Sequence, residues 1–68
     1  MIKLTRLNNK EFYFNSDIIE TMEVTPDTVI TTVQGKKFVV ADSIDEVIDR
    51  IVEYRGRVYK TRRDNERD

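Results

Sequence analysis

The chain has 68 residues, which predicts one small domain, and it contains neither cysteine nor histidine. Disulfide bridges are therefore excluded, and the thiolate and imidazole ligands that structural zinc prefers are missing. The formal net charge is −1, but residues 1–54 carry six basic and ten acidic side chains, whereas residues 55–68 carry six basic and three acidic ones. We expect an acidic body with a basic end.

The first predicted element is an amino-terminal β-hairpin. Apolar and polar residues alternate over residues 1–7 (MIKLTRL), and EFYFN returns over residues 11–15. Asn8 and Asn9 tolerate the left-handed backbone that a two-residue turn requires, and this turn places Arg6 opposite Glu11. The pattern then predicts apolar residues on both faces, with Leu7, Phe12 and Phe14 on one and Ile2, Leu4 and Tyr13 on the other.

A connection begins at Asn15, and its residues 18–20 form either one helical turn or an irregular crossover. Three further strands are predicted over residues 21–25, 28–34 and 37–41. Pro26-Asp27 forms the first reversal, and Gln34-Gly35 supplies the second. These strands are also predicted to be apolar on both faces. Val29, Val33, Phe38 and Val40 fall on one face, and Ile30, Val39 and Ala41 fall on the other.

An amphipathic helix follows, because apolar residues recur three and four positions apart from Ile44 to Tyr59. Ser43 and Glu46 form a capping box that predicts where the helix begins. Gly56 weakens the last turns. No apolar residue occurs from Thr61 onward, so we expect a single domain over residues 1–60 and a charged, disordered tail over residues 61–68.

The predicted fold is α+β, a small antiparallel five-strand meander with one C-terminal amphipathic helix. A single helix covers one face of such a sheet, so the second apolar face needs another cover. Either the sheet curls strongly into a barrel-like wrap, or its second face packs on another molecule. The pattern favours self-association into a homo-oligomer, with Tyr13, Ile30 and Val39 as the candidate residues.

Enzymatic and cofactor sites are not predicted. A serine nucleophile lacks a histidine base, and the two glycines stand too far apart to form a phosphate-binding loop. The carboxylate pairs Glu20 with Glu23 and Asp45 with Asp49 are interpreted as surface and capping charges rather than as metal ligands. We therefore predict no catalytic, cofactor-binding or metal-binding residue.

Nucleic-acid binding is the alternative that needs weighing. Phe12, Tyr13, Phe14 and Phe38, together with the basic end, are similar to a base-stacking platform with an electrostatic arm. The acidic body, however, repels phosphates, and the alternation leaves Tyr13 as the exposed ring. No apolar run has the length of a signal peptide or of a membrane span, so the expected compartment is the cytoplasm.

Five sequence blocks resemble one known family in the same order. They are IKLTRLN near the start, N-x-D-x-I-E from Asn15, T-P-D-T from Thr25, G-K-K-x-V-V from Gly35 and S-x-x-E-V-I from Ser43. Over residues 2–54 the chain resembles the FlbD family of short bacterial flagellar proteins, also called swarming motility protein SwrD. Asn8-Asn9 stands where the family commonly has Asn-Gly. The resemblance implies a role in motor output and swarming, without catalytic residues, cofactor or substrate.

The resulting hypothesis is a non-enzymatic cytoplasmic adaptor at the flagellar base, near the inner face of the membrane, that contacts a stator or rotor protein. The basic end supplies the candidate contact residues, since charged surfaces steer docking. They are Tyr54, Arg55, Arg57, Tyr59, Lys60, Arg62 and Arg63. The alternative is a small nucleic-acid-binding regulator of motility gene expression.

Overall fold

Five strands and one long helix follow one another in the predicted order, in a computed structural model that describes the backbone of residues 1–24 and 26–66 and the side chains of residues 1–24 and 26–58. A short 3-10 turn separates the second and third strands. The α+β class is confirmed. The elements are β1 (Ile2–Thr5), β2 (Glu11–Phe14), the turn Ser16–Ile18, β3 (Ile19–Val24), β4 (Thr28–Thr32), β5 (Lys37–Val40) and α1 (Ile44–Glu66).

The strands form two antiparallel sheets rather than one meander. β1 pairs with β2, and β3, β4 and β5 pair in that order. A bridge between Arg6 and Val40 links the sheets, and the Ala41 amide donates to the Thr5 carbonyl oxygen over 2.8 Å. The single five-strand meander is therefore wrong, and the described strands do not close into a barrel.

The break between the sheets falls at the turn Ser16–Ile18. The Asn15 side chain caps this turn by accepting a hydrogen bond from the Asp17 amide over 3.0 Å. Side chains of this kind offer the backbone a local partner that competes with strand pairing. In the described part of the chain β2 pairs with β1 and not with β3.

The first hairpin turns through three residues instead of the predicted two. The Arg6 amide donates to the Lys10 carbonyl oxygen over 2.8 Å, and Asn9 is left-handed with φ of 70°. Such loops combine a turn with a bulge and add one residue to one strand. Leu4 therefore lies opposite Phe12, and the prediction that Arg6 pairs with Glu11 is wrong because Thr5 takes that position.

The hairpin between β4 and β5 repeats this geometry. The Thr32 amide donates to the Lys36 carbonyl oxygen over 2.8 Å, and Gly35 has φ of 82°. Ile30 consequently lies opposite Phe38. Side chains alternate between the two faces of a strand. A three-residue loop therefore brings different side chains of β4 and β5 onto the same face than the predicted two-residue loop would.

These registers give each sheet one predominantly apolar face, and the two apolar faces contact each other. Phe14 of one sheet meets Phe38 of the other edge to face, with ring centroids 5.1 Å apart. The predicted single sheet with two apolar faces is therefore not formed. The fully buried core consists of Ile2, Leu4, Phe14, Ile30, Val40 and Val47.

Helix α1 begins where the capping box predicts. The Glu46 amide donates to Ser43 Oγ and the Ser43 amide donates to Glu46 Oε1, both over 3.1 Å. Val47 enters the core between the sheets, and Ile51 and Tyr54 pack against it. The backbone of α1 continues to Glu66, beyond the predicted domain boundary.

Candidate partner-binding groove

A cleft of about 380 Å³ lies between the first hairpin and α1. Tyr13 of β2 forms its exposed rim, since 69% of the residue is accessible to solvent. Tyr54 of α1 is half-buried and packs on the core. We call this cleft the tyrosine groove. Its lining residues are Met1, Ile2, Lys3, Tyr13, Arg50, Glu53, Tyr54 and Arg57.

A buried carboxylate ties the two walls of the tyrosine groove together. Asp42 Oδ1 accepts from the Thr5 amide over 2.6 Å, and its Oδ2 accepts from Arg50 Nη1. The same Arg50 nitrogen donates to the Lys3 carbonyl oxygen over 3.0 Å. Asp42 and Arg50 thus connect α1 to β1, and each of the two side chains makes two hydrogen bonds.

The protonation of this pair follows from its surroundings. Burial alone raises the pKa of Asp42, but the hydrogen bonds from Arg50 and from the Thr5 amide outweigh it, so the pKa lies below its ordinary value. The hydrogen bond to Asp42 raises the pKa of Arg50. Both groups therefore carry their full charges near neutral pH, and the connection between the walls is ionic.

The other cations of the tyrosine groove are in exposed ion pairs. Lys3 Nζ lies 3.7 Å from Glu11 Oε2, and Arg57 contacts Glu53 one turn earlier on α1. Pairs of this kind contribute little to stability because water screens them, so a ligand carboxylate can compete for the cations. Tyrosine and arginine are also the residues that most often carry binding energy at protein interfaces. The groove can therefore bind an acidic segment that carries an apolar side chain.

The predicted partner-contact residues do not form one surface. Tyr54 and Arg57 line the tyrosine groove, whereas Arg55 lies on another side of α1, with Nη2 3.9 Å from Asp17 Oδ1. Two residues along a helix are rotated by about 200°, which explains the separation of Arg55 from Arg57. The side chains of Tyr59, Lys60, Arg62 and Arg63 lie outside the described residues.

The predicted self-association residues do not share a surface. Tyr13 faces the tyrosine groove, and Val39 is 44% exposed on the outer face of the three-stranded sheet. Ile30 is fully buried in the core and cannot contribute to a surface in this fold. The three-residue loop between β4 and β5 puts Ile30 and Val39 on opposite faces.

The sheet aromatics do not form a stacking platform. Phe14 is buried and Phe12 is partly buried against the core, with Arg6 placed 4.1 Å from the centre of the Phe12 ring. Phe38 is also partly buried, so Tyr13 is the one exposed ring among these four aromatics. A stacking platform needs several accessible aromatic rings, and of these four rings only that of Tyr13 is accessible.

Sequence reasoning missed Lys3 and Arg50 as residues of the groove. The spacing of Glu46 and Arg50, four positions apart, is a visible signal for an ion pair on a helix, and their side chains do lie 3.6 Å apart. The contact of Arg50 with Asp42 has no such local signal. No cluster of three metal-ligating side chains occurs among the described residues. The described helix also lacks an apolar stretch long enough to cross a bilayer.

Comparison with known proteins places the chain in a family. A family model described as "FlbD: Flagellar and Swarming motility proteins" matches residues 1–59. No curated protein and no solved structure matches the chain. The matched range includes both sheets and every lining residue of the tyrosine groove, and it covers most of the 68 residues. The chain therefore belongs to the FlbD family of flagellar and swarming motility proteins.

Proposed function

We propose that the protein is a non-enzymatic adaptor that supports flagellar motor output by binding a stator or rotor protein. It acts in the cytoplasm, at the motor base near the inner face of the membrane. Membership of the flagellar and swarming motility family supports a role in flagellar motility. The tyrosine groove supports the mode of action, because it offers a surface suited to a protein segment.

One observation carries the proposal. The tyrosine groove combines two tyrosines with the cations Lys3 and Arg57 on elements that Asp42 and Arg50 hold together. Aromatic anchors beside charged groups on rigid elements bind a partner with little loss of conformational entropy. A partner segment that is acidic and carries an apolar anchor fits this chemistry. The complex weakens as salt concentration rises, because its ion pairs are exposed.

The test replaces groove residues whose side chains are exposed, so that the fold is preserved. Tyr13→Ala removes the aromatic rim, and Lys3→Glu reverses one cation. Each variant, as the sole copy in the cell, is expected to reduce motor torque while the number of filaments stays unchanged. Val39→Thr is the matched control, because Val39 is exposed on a different surface. Normal torque in both groove variants, at unchanged protein levels, would falsify the groove as the docking site.

The basic end is a separate part of this proposal. Reversing the charge at Lys60, Arg62 and Arg63 together leaves the tyrosine groove unchanged and is expected to reduce swimming torque, because charged surfaces steer docking on the motor. Unchanged torque at normal protein levels would restrict docking to the tyrosine groove. Tyr59→Ala tests the aromatic candidate of the basic end by the same torque measurement.

Transcript levels distinguish the adaptor from a regulator of gene expression. An adaptor acts on assembled motors, so deletion of its gene is expected to leave the levels of motility transcripts unchanged. Altered transcripts, together with a shift of nucleic acid by the purified protein at low salt, would favour the nucleic-acid-binding alternative.

A further inference from the structure

Helix α1 carries an exposed stripe on a side that faces neither the core nor the tyrosine groove. The stripe consists of Asp45, Ile48, Val52 and Arg55, and we call it the α1 stripe. Ile48 is 42% exposed and Val52 is 64% exposed. The four residues are spaced by three, four and three positions, so they lie within an arc of roughly 80° on the helix surface. Val47, by contrast, is fully buried.

The α1 stripe is complementary to itself. Read in one direction it is acidic, apolar, apolar and basic, and its spacing is the same from either end. A second helix laid antiparallel on it, about a twofold axis between Ile48 and Val52, brings each Ile48 against a Val52 and each Asp45 against an Arg55. A parallel helix in the same register brings like charges together. The charges therefore select the antiparallel arrangement and a second copy of the same chain.

The surroundings of the charged residues fit this arrangement. Asp45 is exposed, and it belongs to none of the ion pairs formed within the described part of the chain. The Arg55 side chain is 65% exposed, and its pair with Asp17 spans 3.9 Å between two exposed groups. That intramolecular pair is weak, so Arg55 can also contact an acidic group across an interface.

We propose that the protein forms a homodimer in which α1 packs antiparallel on α1 of a second copy through the α1 stripe. The apolar residues Ile48 and Val52 form the centre of the interface, and Asp45 and Arg55 set its direction. Burial of this exposed apolar surface stabilises a domain that is too short to bury much of its own. The tyrosine groove remains open in both copies, so the dimer can bind two partner segments at once.

The first experiment measures mass by sedimentation over a series of protein concentrations. The unaltered protein is expected to approach twice the 8.1 kDa mass of the chain as concentration rises. Val52→Asp is expected to remain monomeric throughout. Val33→Asp is the matched control and is expected to dimerise normally, because Val33 is 59% exposed but lies in the loop between β4 and β5. Circular dichroism checks that both variants fold.

The second experiment exchanges the charges. Asp45→Arg and Arg55→Asp each replace two attractive pairs with two repulsive ones, so each variant alone is expected to dimerise about tenfold more weakly. An equimolar mixture restores attraction at both positions and is expected to form a heterodimer tighter than either homodimer. Lys10→Glu mixed with Glu23→Arg is the control pair and forms no preferred heterodimer.

Three results would overturn the proposal. They are a monomer at every concentration of the unaltered protein, a normal dimer of Val52→Asp, and a charge-exchange mixture that is no tighter than its components. Loss of the dimer leaves the tyrosine groove intact within each chain. Binding of a partner by monomeric Val52→Asp therefore tests the adaptor function independently of the dimer.

Discussion

Asp42 is the residue on which the connection between α1 and the first hairpin depends. Its buried carboxylate receives hydrogen bonds from a backbone amide of β1 and from a side chain of α1. Removing one partner of a buried charged pair leaves the other partner without compensation, which costs more than the pair itself contributes. The Arg50 side chain is 35% exposed, so water hydrates the guanidinium group and reduces this loss of stability.

We expect Asp42→Asn to lower the free energy of unfolding by about 1–2 kcal/mol at pH 7, because the amide cannot replace the charge that Arg50 neutralises. The folded pKa of Asp42 lies below its ordinary value of 3.8. The ionic contribution is therefore complete above that pH and is lost as pH falls through the folded pKa. Urea denaturation at several pH values measures the difference.

The difference between Asp42→Asn and the unaltered protein should shrink at the acidic end of this series. Glu46→Gln is the control, because the Glu46 side chain is 58% exposed in its pair with Arg50. It should change the free energy of unfolding by no more than about 0.5 kcal/mol. A difference for Asp42→Asn that stays constant from neutral to acidic pH would show that the effect is not ionic.

Among the elements, the two three-residue loops have the largest effect on the fold. Each loop ends in a left-handed residue, Asn9 in one and Gly35 in the other, and each sets the register of its hairpin. Asparagine reaches this conformation more readily than most residues with a side chain, and glycine reaches it without steric cost. The loops therefore decide which side chains of each strand face the core.

Replacing glycine by alanine is expected to have opposite effects on the free energy of unfolding at Gly35 and at Gly56. Gly35→Ala should lower the free energy of unfolding by about 1 kcal/mol, because φ is +82° and alanine is strained there. Gly56→Ala should raise it by about 1 kcal/mol, because alanine favours a helix interior. A Cβ at either position meets no atom within 4 Å, so steric overlap does not complicate the comparison. Equal signs in thermal or urea unfolding would contradict the assigned backbone conformations.

For the whole molecule, the shared core makes the two sheets one cooperative unit. Leu4 belongs to the two-stranded sheet and Ile30 to the three-stranded one, and both are fully buried in the same cluster. A helix residue, Val47, completes the contact between them. Neither sheet has a separate core, so we expect the sheets to unfold together.

Leu4→Ala should lower the free energy of unfolding by about 3 kcal/mol, because it leaves a cavity in a close-packed interior. The loss should also appear in the other sheet, as faster hydrogen exchange at the Ile30 amide by the same free energy. Val39→Ala is the control, because Val39 is 44% exposed, and it should cost about 0.5 kcal/mol. Protection at Ile30 that is unaffected by Leu4→Ala would mean that the sheets unfold separately.

Much of the fold follows from local patterns in the sequence. Helical spacing after Ser43 predicts α1, and its capping box predicts the first residue of the helix. The glycine and asparagine residues predict the hairpins, and five motif blocks predict the family. These signals succeed because each one depends on interactions between residues close together in the chain.

The tyrosine groove could be predicted only in part. The sequence predicts Tyr54 and Arg57 as partner contacts, and the structure brings them beside Tyr13, which the sequence predicts for self-association. Lys3 and Arg50 join them through contacts that are distant in sequence. Residues so far apart in the chain leave no periodic signal from which their proximity can be inferred.

The amino-acid order alone is sufficient for the α+β class, the succession of strands, the start of α1 and the family. Three-dimensional packing is needed to know which face of each strand is buried. A strand repeats every two residues, so a loop of three residues instead of two reverses the faces, and both loop lengths suit Asn8-Asn9 and Gln34-Gly35. The burial of Leu4 with Ile30 and the contact of Asp42 with Arg50 join distant parts of the chain. These contacts arise only when the two sheets and α1 pack together.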